Sequence, residues 1–188
     1  VARKIPAAVI GGFATFAFYY RPIVRAIRES GVDASTVSAG PLSLNIWPLS
    51  MAESYIMRSI QQAYGHPVQI VGHSLGGLQG MYLMCKYPTI VSKVIAIGSP
   101  VYGIRWKAYA SGIYAALSID DSFVDQFRQD VQLMANRIVS IASTDDEICD
   151  TASCHIEGAK NYIISGPGHA LLPFDREVVR IVLSELIR

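Results

Sequence analysis

Charge is scarce in this sequence: Asp, Glu, Lys and Arg make up 16% of its 188 residues, against about 25% in typical folded domains. The 16 basic and 15 acidic residues leave a net charge of +1. No basic run is available to neutralise a row of phosphates, which argues against a nucleic-acid partner. Long apolar runs are lacking as well. The best uncharged run, 5–20, falls short of the roughly 20 residues needed to cross a bilayer and is broken by Pro6 and Gly11-Gly12, and other uncharged runs are interrupted by His, Pro, Ser or Gln. No membrane span and no signal-peptide pattern is expected, although the chain opens with Val, which is compatible with a processed or trimmed N-terminus. Cysteine is rare, and three thiols cannot all pair within one chain. The 15 Gly and nine Pro are scattered, so no low-complexity linker divides the sequence, and a single domain over 1–188 is expected. No internal repeat is visible.

Hydrophobicity is abundant. Apolar residues reach 51% and the mean hydropathy is +0.31, which excludes a disordered chain and points to a largely buried sheet or an apolar binding surface. Short apolar runs at 5–11, 34–38, 68–71, 94–97, 138–142 and 161–165 read as strands, several of them ending in glycine. Between and after them, 21–29, 51–64, 75–87, 123–134 and the segment from about 174 onward carry apolar residues at helical spacing. Residues 41–48 read as a loop, and 101–121 has no firm type. About six strands alternating with helices predict an α/β fold, a doubly wound and mostly parallel six-stranded sheet with helices on both faces. Chemistry in such sheets gathers at the carboxyl ends of the strands.

The sharpest motif lies at one of those ends. Strand 68–71 runs into Gly72-His73-Ser74-Leu75-Gly76, a Gly-x-Ser-x-Gly turn that opens a helix. The pattern alone arises by chance in about one chain of this length in fifteen, so its place between strand and helix carries the weight. A serine on so tight a turn has a strained backbone, and glycines two residues away let strand and helix approach. Its hydroxyl then stands at a helix N-terminus, where free N–H groups favour developing negative charge.

A serine hydroxyl needs a base, and the base needs an orienting acid. Both follow in the order Ser, Asp, His. Asp145-Asp146 come just past strand 138–142, and His169 lies in a Gly-Pro-Gly loop beyond the last strand. The other histidines read as structural: His66 at the wrong end of the sheet, His73 packed or hydrogen-bonded within the turn, His155 ahead of the last strand. Position alone does not choose between Asp145 and Asp146; the other acid is a turn or cap residue.

Gly72-His73-Ser74-Leu75-Gly76-Gly77 resembles the nucleophile elbow of α/β-hydrolase lipases and esterases. Gly158-Ala159-Lys160-Asn161 with Gly166-Pro167-Gly168-His169-Ala170-Leu171-Leu172 resembles the closing segment of small bacterial lipases, the minimal, capless members of that superfamily. The resemblance covers nearly the whole chain thinly and is specific at these two segments. It favours Asp146, because the family's acid is followed by any residue and then two apolar ones, as in Asp146-Glu147-Ile148-Cys149. It also implies an oxyanion hole from the backbone N–H groups of Phe13 and Leu75. The loop carrying Phe13 departs from the family's His-Gly-apolar pattern, reading Gly11-Gly12-Phe13, which puts the support of the hole in question.

The aromatic residues after strands 5–11 and 94–97 are candidate walls of an apolar acyl groove, with Phe16, Tyr102, Ile104 and Trp106 foremost. Segment 101–121 is too short for a large cap, so an open serine is expected. Cys85 reads as a buried small hydrophobe. Cys149 and Cys154 share the loop with Asp146 and could form a short bridge in an oxidising compartment, which would imply secretion; otherwise the expected location is cytoplasmic. No metal site and no cofactor is expected. The function implied is a serine hydrolase acting on carboxylic esters with an apolar acyl chain, a lipase or carboxylesterase with an acyl-enzyme intermediate and a small-molecule ester or lipid substrate. The rival readings are a thioesterase, amidase or acyltransferase on the same triad, and an inactive binding protein of the same fold. A nucleotide site is excluded because the glycines carry no Lys-Ser/Thr.

Overall fold

The computed structural model describes residues 5–37, 49–64, 67–103 and 121–186. Six strands form one parallel sheet: β1 (Ala7–Ile10), β2 (Ala34–Thr36), β3 (Val68–His73), β4 (Val91–Ile97), β5 (Ile138–Ser143) and β6 (Lys160–Ile164), in the order β2-β1-β3-β4-β5-β6. Every pairing is parallel. The helices are α1 (Arg21–Glu29), α2 (Leu49–Ala63), α3 (Leu75–Lys86), α4 (Asp121–Leu133), a single turn α5 (Thr151–Cys154) and α6 (Arg176–Leu186). Among the described residues no helix is long and apolar enough to cross a membrane.

Alternation along the strands divides the core in two. Ala8, Ile10, Ile70, Val94 and Ala96 pack with Ile60 of α2, Met81 and Met84 of α3 and Val131 of α4. The intervening Val9, Val71, Ile95, Ile97 and Ile141 pack with Ile23 and Ile27 of α1 and Val178 and Val182 of α6. A sheet covered on both faces needs apolar side chains in both directions, which accounts for the high hydropathy without a membrane span.

Three strands are longer than their apolar runs, β5 by Ser143 alone. β4 begins at Val91, taking in Ser92 and Lys93, whose polar groups bond Val68 C=O (2.9 Å) and Glu185 C=O (2.9 Å). β3 continues through Gly72 and His73, both buried and paired with Ala96 and Ile97. Two 3₁₀ segments, Ala17–Tyr20 and His169–Phe174, lie where loops are expected. Cys85 is only half-buried, lining with Tyr82 and Phe127 a cleft of about 180 Å³ between α3 and α4, and burial pushes its thiol up to about 11. His66, the loop 41–48, Ile104, Trp106 and most of 101–121 lie outside the described residues.

The chain steps from β1 out to β2 and returns to β3 on the other side of β1, so the strand order reverses between β1 and β3. Ligands in open α/β sheets bind at such a reversal. Three glycines let α3 approach it. A Cβ on Gly72 would lie 2.5 Å from the Gly76 backbone, one on Gly76 2.3 Å from Ile10 C=O, and one on Gly77 2.0 Å from Ser99 Oγ. The Gly76 conflict is with backbone and cannot be relieved by a rotamer change. Gly76→Ala is therefore expected to lower the unfolding free energy by about 3 kcal/mol; an unchanged denaturation midpoint would contradict this packing.

Candidate active site

Ser74 sits between β3 and α3 with φ 54° and ψ −122°, in the left-handed half of conformational space that residues with a Cβ avoid. Strain of this kind costs about 1–3 kcal/mol and persists only where surroundings enforce it. Here the Ser74 N–H donates to Ile97 C=O at 2.8 Å, while Gly77 N–H returns to Ser74 C=O at 3.0 Å. The side chain is half-buried at the N-terminus of α3.

The loop after β1 folds over this point. Residues Gly12 to Thr15 make a turn closed by Thr15 N–H to Gly12 C=O (3.3 Å), and Ala14 takes φ 55°, as the third residue of a type II turn requires. Gly12 is pressed on the elbow: a Cβ there would meet His73 Nδ1 at 3.1 Å and Ser74 Cβ at 3.2 Å. Among the described residues no group takes the Phe13 or Leu75 N–H, leaving both donors available.

On the other side, His169 and Asp146 are both buried and joined by a 2.7 Å hydrogen bond from Nδ1 to Oδ2. The remaining Asp146 oxygen accepts from Ile148 N–H (2.8 Å) and Cys149 N–H (2.7 Å). Burial opposes the carboxylate charge, but these three donors outweigh it and hold Asp146 below its ordinary value of 3.8. Gly98, at φ 56°, leaves room for the pair, since a Cβ would lie 3.2 Å from Asp146 Oδ2 and 3.4 Å from His169 Cε1. Gly98 directly follows Ile97, whose carbonyl holds Ser74, so elbow and imidazole flank the same strand end.

The neighbouring acids have separate tasks. Asp145 Oδ2 accepts from Gly166 N–H at 2.7 Å, and Glu147 Oε2 from His169 N–H at 3.0 Å. Three consecutive carboxylates thus hold three points of the 166–169 segment. Gly168 is needed for this, since a Cβ would stand 2.7 Å from Glu147 Oε2.

Of the groove candidates, Phe16 stacks on the exposed Phe18 at 5.5 Å beside the turn, while Tyr102 lies beneath the Arg128 guanidinium at 5.6 Å. Cys149 and Cys154 are buried, unbridged thiols. Asp146, Cys149 and His169 bring one ligand atom each within 4.8 Å. They make a poor cation site, because Asp146 and His169 already bind each other and hydrogen bonding with Cys154 plus burial raises the Cys149 pKa, keeping it a thiol.

Sequence reasoning grouped Tyr20 with the candidate walls of the acyl groove, but the structure buries it. Its buried phenol accepts from Gly12 N–H (2.7 Å) and lies 2.8 Å from His73 Nδ1, and His73 Nε2 lies 3.0 Å from His169 C=O. The only sequence signal was Gly11, where a Cβ would meet the Tyr20 ring at 2.4 Å. Burial first, then the nearby His169, lowers the His73 pKa from 6.5 to about 3. Between those values the unfolded chain binds a proton that the folded chain does not. Stability is therefore complete above about pH 6.5 and is lost as pH falls toward about 3. His73→Gln removes this titration, so its melting temperature is expected to fall less between pH 6.5 and 4 than that of the wild type; parallel curves would contradict the assignment.

A family model described as the alpha/beta hydrolase fold matches residues 49–137. No curated protein sequence matches the chain. Among solved structures, a Bacillus licheniformis lipase is similar at TM-score 0.78 and 15% identity, covering 99% of this chain and 93% of its own. A Paleococcus ferrophilus monoacylglycerol lipase follows at 0.72 and 13%, covering 98% and 96%. The thioesterase domain from the curacin biosynthetic pathway is similar at 0.71 and 12%, covering 98% and 91%. The parallel sheet, the strained serine turn at its strand reversal and these likenesses together give this chain the α/β-hydrolase fold.

Proposed function

We propose that the protein hydrolyses carboxylic esters with an apolar acyl chain through a serine acyl-enzyme. The observation that carries this reading is the buried 2.7 Å bond between His169 and Asp146 at the strand end that also holds the strained Ser74. On this route Ser74 Oγ attacks the ester carbonyl while His169 Nε2 takes its proton. The tetrahedral oxyanion accepts hydrogen bonds from Phe13 and Leu75 N–H. Collapse breaks the bond to the alkoxy oxygen, which leaves as the alcohol with the proton from His169. Water then repeats the sequence on the acyl-enzyme, releasing acid and restoring Ser74. Asp146 keeps the imidazole in the tautomer that presents a basic Nε2 and stabilises the transient cation. Neither metal nor coenzyme enters any step.

The lipases among similar structures support an apolar acyl group. Phe16 with Tyr102, Ile104 and Trp106 is proposed as its wall. A thioester substrate is the second reading, favoured by the likeness to a thioesterase domain. Oxygen ester, thioester and amide bearing one acyl chain should separate the two by kcat/KM, and oxygen ester is expected to lead.

Ser74→Ala should abolish covalent labelling by an activated phosphonate with the fold retained; equal labelling of the variant would refute the nucleophile. Asp146→Asn should cost about 10⁴ in kcat. Asp145→Asn, which perturbs exposed bonds from Gly166 N–H and Thr144 Oγ1, should cost about tenfold or less. Equal losses would reverse the choice of acid.

A further inference from the structure

We propose that Tyr20 and His73 form a buried bridge that ties the loop carrying the Phe13 oxyanion donor to the segment carrying the base, and so governs turnover without touching substrate. The inference rests on the ester-hydrolase reading above for its kinetic consequence, and on geometry alone for its existence.

Proton positions along the bridge follow from its partners. Gly12 N–H donates to the Tyr20 oxygen at 2.7 Å. Thr15 Oγ1 also lies 3.2 Å from the phenol oxygen, but the His169 carbonyl beside His73 Nε2 can only accept, so the neutral ring has its proton there and Nδ1, 2.8 Å from the phenol, accepts the Tyr20 proton. With Nδ1 accepting, Nε2 bears the other proton and donates to His169 C=O at 3.0 Å. Burial keeps both members uncharged, holding the phenol near 12 and the imidazole near 3. One direction of hydrogen bonding therefore runs from the β1 loop, through the residue preceding Ser74, to the backbone of His169.

The bridge spans three segments that the sheet alone leaves separate: β1 and β6 have β3, β4 and β5 between them. Tyr19 adds a parallel tie, its hydroxyl bonding Ala170 C=O and its ring meeting Phe174 edge-on at 4.6 Å. The ring of Tyr20 fits only because residue 11 has no side chain. Glycine at this position, which departs from the resembled lipases, thus makes room for a phenol that holds the next N–H from behind.

The atoms held are backbone neighbours of the reacting groups. Gly12 N–H precedes the Phe13 donor, and the His169 carbonyl belongs to the residue of the base. A misplacement of about 1 Å at such groups costs about 10² in rate. A bridge that only stabilised the fold would change the melting temperature and leave the kcat of the folded protein alone.

Tyr20→Phe keeps the ring and deletes one oxygen. At a temperature where the variant is folded, kcat on an ester should fall by about 10- to 100-fold with KM within about twofold. His73→Gln, which retains a donor and an acceptor, should keep about tenfold more activity than His73→Leu. Wild-type kcat in Tyr20→Phe, or equal activity in the two His73 variants, would overturn the proposal. Ser74→Ala run alongside separates the two claims: if wild type and Ser74→Ala are equally inactive, the hydrolase reading fails while the bridge is still decided by NMR. In that measurement the His73 ring should carry its proton on Nε2, and Tyr20→Phe should shift the amide signals of both Phe13 and Ala170. Unmoved signals would sink the bridge.

Discussion

The turn at Ser74 is the constraint on which the rest of the structure depends. A residue with a Cβ held at φ 54° is strained, and the strain is held by its surroundings: the bond to Ile97 C=O on one side and three positions without side chains on the other. Because Gly76 lies against the carbonyls of Ile10 and Gly11, α3 is locked to the end of β1 as well as to β3. The loop after β1 then has little choice but to lie over the serine, which is how Gly12 comes to rest against it. Strand register completes the arrangement: Ile10 pairs with Gly72, His73 with Ile97, Ile97 with Ile141 and Ser143 with Ile164, so the segments after five strands leave the sheet at one rim.

Two kinds of fastening hold these loops. On the β5 side the fastening is ionic in character, with Asp145, Asp146 and Glu147 each accepting from the 166–169 segment. Only the middle carboxylate is buried, and it is the one with three donors, which together outweigh its desolvation. On the β1 side the fastening is neutral, a phenol and an imidazole deep in the protein where a charge would be expensive. Both converge on His169, one at its ring and amide, the other at its carbonyl. The candidate base is thereby fixed in place and tautomer while its remaining ring nitrogen stays free for chemistry.

Much of this was legible in the residues. The sheet class followed from alternating apolar runs, and the elbow from Gly72-His73-Ser74-Leu75-Gly76 lying between a strand and a helix. What resisted reading was anything set by the direction of a side chain. Asp145 and Asp146 stand side by side past β5, so position alone did not choose between them and only the family resemblance favoured Asp146; in the fold one side chain meets Gly166 N–H and the other the imidazole. Tyr20 sits 53 residues from His73 at the end of the uncharged run 5–20, looking like one more aromatic of an apolar loop. The 3₁₀ turn at His169–Phe174 was hidden by Pro173, which reads as a loop residue yet sits inside that turn. The early start of β4 was masked by Ser92 and Lys93, polar residues whose partners come from β3 and the last helix.

The central claim is that segments far apart in the chain converge so that one hydroxyl becomes nucleophilic and the resulting oxyanion is received by waiting N–H groups. A crystal structure of the protein after reaction with an activated phosphonate tests it most directly. The account predicts phosphorus bonded to Ser74 Oγ, with the phosphoryl oxygen in hydrogen-bond reach of both Phe13 N–H and Leu75 N–H and the His169 ring beside the adduct. Phosphorus on another residue, or an oxygen turned away from both donors, would contradict it.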